Sequence, residues 1–146
     1  MFKCAPENIK ESWKWNLFMR CSHCGICCKK TEMMLSNGDV ERLERVGYNR
    51  QKFVRYDRHG LAKLKNRQEF CVFYDVQKCR CKIYKHRPLG CRFYPVIYSE
   101  QEGIVVDDLC PMKNTISEIE LKRKSKKVIE LLKKIDNEAT SHRNTT

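Results

Sequence analysis

Ten cysteines in a chain of 146 residues are the part of this sequence that can do chemistry, and four of them stand together. The string Cys21-Ser22-His23-Cys24-Gly25-Ile26-Cys27-Cys28 reads C-x2-C-G-x-C-C. Two intervening residues let both thiolates of a C-x2-C unit turn back onto one metal, and amides inside that turn can donate to sulfur. Gly25 follows the turn, where a positive φ is often required and glycine alone takes it without strain. Cys27 and Cys28 pose a different problem. Adjacent side chains usually diverge, so the expectation is either two metal sites side by side or a buried thiol at one position.

The later cysteines are Cys71, Cys79, Cys81, Cys91 and Cys110. Their spacing is too wide for a second C-x2-C unit. Cys91 follows Pro88 and Gly90 in what reads as a tight turn, His86 to Gly90. Cys110 precedes Pro111, and a proline also follows the fourth cysteine of bacterial ferredoxin runs. Arg87 and Arg92 bracket Cys91, where positive charge can stabilise a thiolate, hold an anion or simply bond turn carbonyls. His23 and His86 read as surface residues rather than ligands.

Composition sets the surroundings. No apolar run approaches the roughly 18 residues of a membrane span, and Met1 to Arg20 has no signal-like apolar stretch. The expected location is the cytoplasm, where clustered cysteines bind metal or do redox chemistry rather than form disulfides. The formal charge of +12 assumes neutral thiols. Metal-bound thiolates would bring it to about +8.

The elements that position the cysteines are short. Ser36 can cap a helix with Asp39 in its first turn, Val40, Leu43 and Val46 on one face, and Gly47 at its end. Tyr48 to Tyr56 reads as another short helix with Phe53 and Val54 inward. Leu61 to Lys65 and the string Cys71-Val72-Phe73-Tyr74 are strand-like. Val96 to Tyr98 and Ile104 to Val106 flank a loop and read as a hairpin. From Thr115 to about Asp136 the stripe Val128, Leu131, Leu132 and Ile135 is helical, and the run Lys122 to Lys127 faces mostly outward. In the lead-in, Trp13, Trp15, Leu17 and Phe18 form an apolar handle. The fold expected is α+β: a small, irregular, metal-stabilised domain with short helices, short strands and a C-terminal helix. It divides into a cysteine-cluster domain at 1–114, a basic amphipathic helix at 115–138 and a disordered tail at 139–146.

The ordered strings Cys21-x2-Cys24-Gly25-x-Cys27-Cys28, Cys71-Val72-Phe73, Cys81-x-Ile83-Tyr84-x2-Arg87-Pro88-x2-Cys91-Arg92-x-Tyr94-Pro95 and Cys110-Pro111 carry a resemblance. They resemble the zinc- or iron-chelating cysteine-cluster proteins of the CxxCxxCC, or YkgJ, type over roughly residues 18 to 112. The resemblance implies metal chelation and little about reaction. It implies Cys21, Cys24, Cys27, Cys28, Cys71, Cys81, Cys91 and Cys110 as the metal-binding set, with Cys4 and Cys79 as extras and the chain from Thr115 onward outside the pattern. A flagellin lysine methylase has the same type of motif in a larger chain. This chain has no Gly-rich loop of the G-x-G-x-x-G kind, so that activity is not carried over.

Thiolate-only ligation suits zinc, an iron–sulfur cluster or Cu(I). A C-x2-C-x2-C run with a remote cysteine is an iron–sulfur pattern, whereas four-cysteine structural zinc commonly uses two paired knuckles. The reading favours an iron–sulfur cluster, with zinc second. Three functions stay open: a redox or electron-transfer module with a protein partner, a cluster-dependent enzyme acting on a protein or small molecule, and a zinc-structured nucleic-acid-binding module. The last ranks lowest. Residues 115–146 hold eight Lys or Arg against five Asp or Glu, a net +3, and no RNA-binding aromatic motif appears.

Overall fold

A computed structural model describes residues 24–144. Cys4, Cys21, His23 and the aromatic lead-in with Trp13, Trp15, Leu17 and Phe18 lie outside the described residues. The fold is α+β, with four helices and four two-stranded antiparallel ribbons among the described residues.

The first helix, α1, spans Asn37–Val46. Its N-terminus is a reciprocal capping box. The Ser36 hydroxyl accepts the Asp39 N–H, and the Asp39 carboxylate accepts the Ser36 N–H, both at 3.1 Å. Such a box satisfies two otherwise orphaned helix donors. Val40 and Leu43 are buried while Val46 is 45% exposed, so the inward stripe is shorter than the sequence spacing predicts. The chain turns at Gly47 into α2, Arg50–Phe53, which leads straight into strand β1, Val54–Tyr56. The single helix expected over Tyr48 to Tyr56 is thus half helix and half strand. β1 pairs with β2, Ala62–Leu64, with Val54 opposite Leu64 and Tyr56 opposite Ala62.

Two very short ribbons follow. β3, Asn66–Arg67, pairs with β4, Phe70–Cys71, and β5, Tyr74–Asp75, pairs with β6, Arg80–Cys81. The β-prone Cys71–Tyr74 string is therefore split by a turn, with Val72 and Phe73 between two strands. Helix α3 is Leu89–Phe93. The expected turn at His86 to Gly90 instead starts this helix: Pro88 stands at its N-cap, and Gly90 and Cys91 lie within it. A Cβ on Gly90 would overlap the Met33 sulfur. Glycine is needed there for close approach rather than to break structure.

Strands β7, Val96–Ser99, and β8, Gly103–Val106, form the predicted hairpin. Helix α4 runs from Glu118 to Asn144 and packs on β7 and α3. Val128, Leu131 and Ile135 are buried as their spacing predicts. Lys124 breaks the outward basic face, being 9% exposed and paired with Glu120 at 3.0 Å. The helix also continues past Glu138, where a disordered tail was expected. The continuation has tertiary partners: Ala139 is buried, Glu138 accepts the Asn37 N–H at 2.7 Å, and the His142 ring bonds Gly60 O and Asn37 Oδ1, each at 2.9 Å.

One apolar core joins these pieces. Leu35, Val40, Leu43, Phe53, Leu64, Phe73 and Ile83 form its centre, and Cys28, Cys71, Cys81 and Cys91 are packed into or against it. No helix among the described residues is long and apolar enough to cross a membrane.

Candidate metal centre

The motif cysteines among the described residues come from several separate local structures, with Cys27 and Cys28 sharing one. Gly25 takes φ 80° and opens a 3-10 turn over Ile26–Cys28, closed by the Cys28 N–H donating to Gly25 O at 3.0 Å. A Cβ on Gly25 would overlap the Tyr74 ring, so the residue serves both the positive φ and the close approach. Cys24 precedes this turn and is buried. Cys71 ends β4, Cys81 ends β6, Cys91 lies in α3, and Cys110 stands in the turn after β8, its N–H on Asp107 O at 3.3 Å.

The fold brings all seven to the wall of one cavity of about 80 Å³. The remaining wall is mostly apolar, with Met33, Leu64, Phe73, Ile83 and Pro111 among its residues. Among the described residues Arg87 is its one charged side chain, and none of its lining residues is a histidine or a carboxylate. Among the described residues no three Cys, His, Asp or Glu side chains are already closed into a metal-ion cage. The donor chemistry nevertheless fits a soft metal: seven thiols and, among the described residues, no histidine or carboxylate in a mostly apolar wall.

Cys27 and Cys28 do not diverge as expected. The tight 3-10 turn brings their thiols within hydrogen-bonding reach, and that bond lowers the Cys27 pKa while raising that of Cys28, with burial adding to the latter. Burial pushes the Cys71 thiol up to about 11. The backbone N–H groups of Phe73 and Tyr74 oppose that shift by donating to its sulfur. Burial also holds Cys91 well above its ordinary value, reinforced by the charges of Cys27, Cys71 and Cys81. Gathering several thiolates here is therefore costly without a cation to balance them.

Arg87 partly offsets that cost by favouring the charged forms of Cys27 and Cys91. It is held in place by Nε donating to Tyr84 O at 3.0 Å and by its guanidinium lying 3.9 Å from the Tyr84 ring centroid. Arg92, its sequence partner across Cys91, points instead to Lys85 O at 3.3 Å and does not line the cavity. Tyr94 lines it, with its hydroxyl donating to Asp107 at 2.7 Å. Burial and that bond raise the Tyr94 pKa, which fits packing rather than proton transfer. His86 lies outside the cavity wall.

Sequence reading missed three supports of this site. Asn66 clamps the segment after the cysteine run by accepting the Thr31 N–H at 3.0 Å and donating to Thr31 O at 2.9 Å. Asp39, read as a helix-dipole residue, also accepts the Leu89 N–H at 3.1 Å. The amides over Cys71 come from Phe73 and Tyr74 rather than from the Gly25 knuckle. Only the first Asp39 role had a local signal, the Ser36-x-x-Asp39 box.

The CxxCxxCC family model, described as "Putative zinc- or iron-chelating domain", matches residues 20–111. A relative in Methanocaldococcus jannaschii, named as an uncharacterized protein, is 33% identical over 90 residues, covering 57% of this chain and 47% of its own. The chain thus matches about half the length of this curated relative. No solved structure matches the chain.

Proposed function

The chain belongs to the CxxCxxCC family of zinc- or iron-chelating domains, and we propose that it is an electron-transfer module holding an iron–sulfur cluster on its cysteine thiolates. The observation that carries this reading is one mostly apolar cavity walled by seven thiols, with no histidine or carboxylate among the described residues of its wall. One zinc ion takes four ligands, in structural sites commonly from paired knuckles. Here the sulfurs come from several separate elements around one space. The cavity of about 80 Å³ also exceeds the roughly 10–15 Å³ that one water centre needs, as a polynuclear centre requires.

The ligand set is drawn from Cys21, Cys24, Cys27, Cys28, Cys71, Cys81, Cys91 and Cys110. A bound cluster would supply one-electron redox chemistry whose potential responds to hydrogen bonds at sulfur, charge and burial. The chain has groups for each of these. The Phe73 and Tyr74 amides donate to Cys71, Arg87 places a positive charge beside Cys27 and Cys91, and Leu64, Phe73 and Ile83 keep the wall apolar.

The test is purification without oxygen. The expected result is a brown protein with iron and acid-labile sulfide in similar amounts that bleaches on dithionite reduction. A colourless anaerobic preparation with stoichiometric zinc and no sulfide would overturn the redox reading and leave a structural zinc module, since zinc has no redox chemistry of its own.

A further inference from the structure

A second cleft, of about 650 Å³, opens beside the metal cavity. The two share Cys81 and Tyr84 in their walls. Cys81 therefore has the centre on one side and an open surface cleft on the other.

The cleft is strongly cationic. Lys78, Arg80, Lys82 and Lys85 line it, all exposed, together with exposed His86. None of the four makes an ion pair among the described residues. The single carboxylate in the wall, Asp75, is turned onto its own hairpin, accepting the N–H groups of Gln77 and Lys78, each at 3.0 Å. The charge is thus concentrated beside Cys81, the one thiol among the described residues that lines both spaces. Concentrated charge beside a cleft steers an oppositely charged partner and sets its orientation.

We infer that this cleft docks the acidic face of a one-electron carrier protein, which exchanges electrons with the centre at the Cys81 edge. The inference rests on the redox reading above. The step moves one electron and no bond: the reduced carrier is oxidised by one electron and the oxidised centre is reduced by one. A nucleic acid fits the cleft less well. Tyr84, the one Phe, Tyr or Trp among the described lining residues, already has a ring face covered by the Arg87 guanidinium at 3.9 Å, and exposed His86 adds one small ring, short of the run of stacking platforms that a single strand takes.

The experiment is stopped-flow reduction of the oxidised, cluster-loaded protein by an acidic flavodoxin hydroquinone, at low and high salt. Two variants carry the same charge change in different places: K78E/R80E/K82E in the cleft and K122E/K126E/K127E on exposed positions of α4. The wild-type second-order rate constant should fall as salt rises. At low salt the cleft variant should lose about tenfold or more, and the α4 variant should stay within about twofold because distant charges are screened. Equal loss in both variants, or a salt-independent wild-type rate, overturns the inference. So does tighter binding of a single-stranded oligonucleotide than of flavodoxin to the wild-type cleft.

Failure of the parent reading looks different: zinc without sulfide and no visible absorption. Calorimetric titration of flavodoxin into that zinc-loaded protein and its cleft variant would then separate a docking surface without electron transfer from no docking surface. Either result removes the electron-exchange step.

Discussion

The Asp39 carboxylate accepts the backbone N–H of Leu89 at 3.1 Å across 50 residues of sequence. Asp39 is fully buried, and it also accepts the Ser36 N–H at 3.1 Å and the Arg42 guanidinium at 3.0 Å. Arg42 in turn donates to Arg87 O at 2.8 Å. The cap of α1 thereby holds the start of α3, the helix that carries Cys91, and the backbone of Arg87, the one cation among the described residues of the cavity wall.

Asp39→Ala should therefore cost about 3–5 kcal/mol, since it leaves Arg42 and two amides without their buried partner. It should also speed metal loss to a chelator. Ser36→Ala removes only the cap, worth about 1 kcal/mol, and should lower the melting temperature without faster metal release. Equal release rates in the two variants would sink the positioning role of Asp39.

Gly90 and Met33 should be energetically coupled, because a Cβ at position 90 would overlap the Met33 sulfur. Gly90→Ala alone should destabilise by about 1–3 kcal/mol, as overpacking does. In a Met33→Ala background the same change should become neutral or stabilising, since alanine is favoured over glycine inside a helix by up to about 1 kcal/mol. Denaturant melts of the four proteins in this cycle decide the matter. Additive effects would rule out the contact.

Glu120 and Lys124 form an i, i+4 pair at 3.0 Å whose side chains are 2% and 11% exposed. Glu120→Gln leaves a nearly buried ammonium without its counter-charge and should cost about 3–5 kcal/mol. The double change E120L/K124M should recover most of that loss, because replacing both members of a buried pair by apolar groups is often neutral. A double variant as unstable as E120Q would argue that the pair is replaceable by nothing of its size.

Cys71 predicts opposite pH responses for the metal-free and loaded proteins. Burial raises its thiol from 9.0 to about 11. The folded metal-free chain therefore holds this proton more tightly than the unfolded one. Its contribution to stability is complete below pH 9.0 and is lost as pH rises through about 11, because the unfolded thiol ionises first. Metal binding needs the thiolate, so loading should release protons and metal should be lost as pH falls. Melting curves of metal-free wild type and Cys71→Ser across this window provide the check. An unchanged alkaline slope in the serine variant would remove Cys71 as its source.

Much of the site was legible because its signals are local. Ser36 and Asp39 stand three residues apart, so the capping box of α1 can be read directly. Val128, Leu131 and Ile135 mark the buried face of α4, and the turn residues between β7 and β8 mark a hairpin. The C-x2-C-G-x-C-C spacing likewise marks a metal-binding run, whereas the widely spaced Cys71, Cys81, Cys91 and Cys110 joined it only through the family resemblance. What tertiary structure decided is the company these residues keep. It turned Cys27 and Cys28 towards each other, placed Gly90 inside a helix beneath Met33, drew Lys124 out of a solvent-facing run onto Glu120, and gave Asp39 its second partner at Leu89. It also extended α4 to Asn144 through contacts with Asn37 and Gly60. Sequence spacing encodes what neighbours on one turn of helix or strand can do. Which distant backbone amide meets a carboxylate, and how much space a thiol is left, depends on how the whole chain closes around its core.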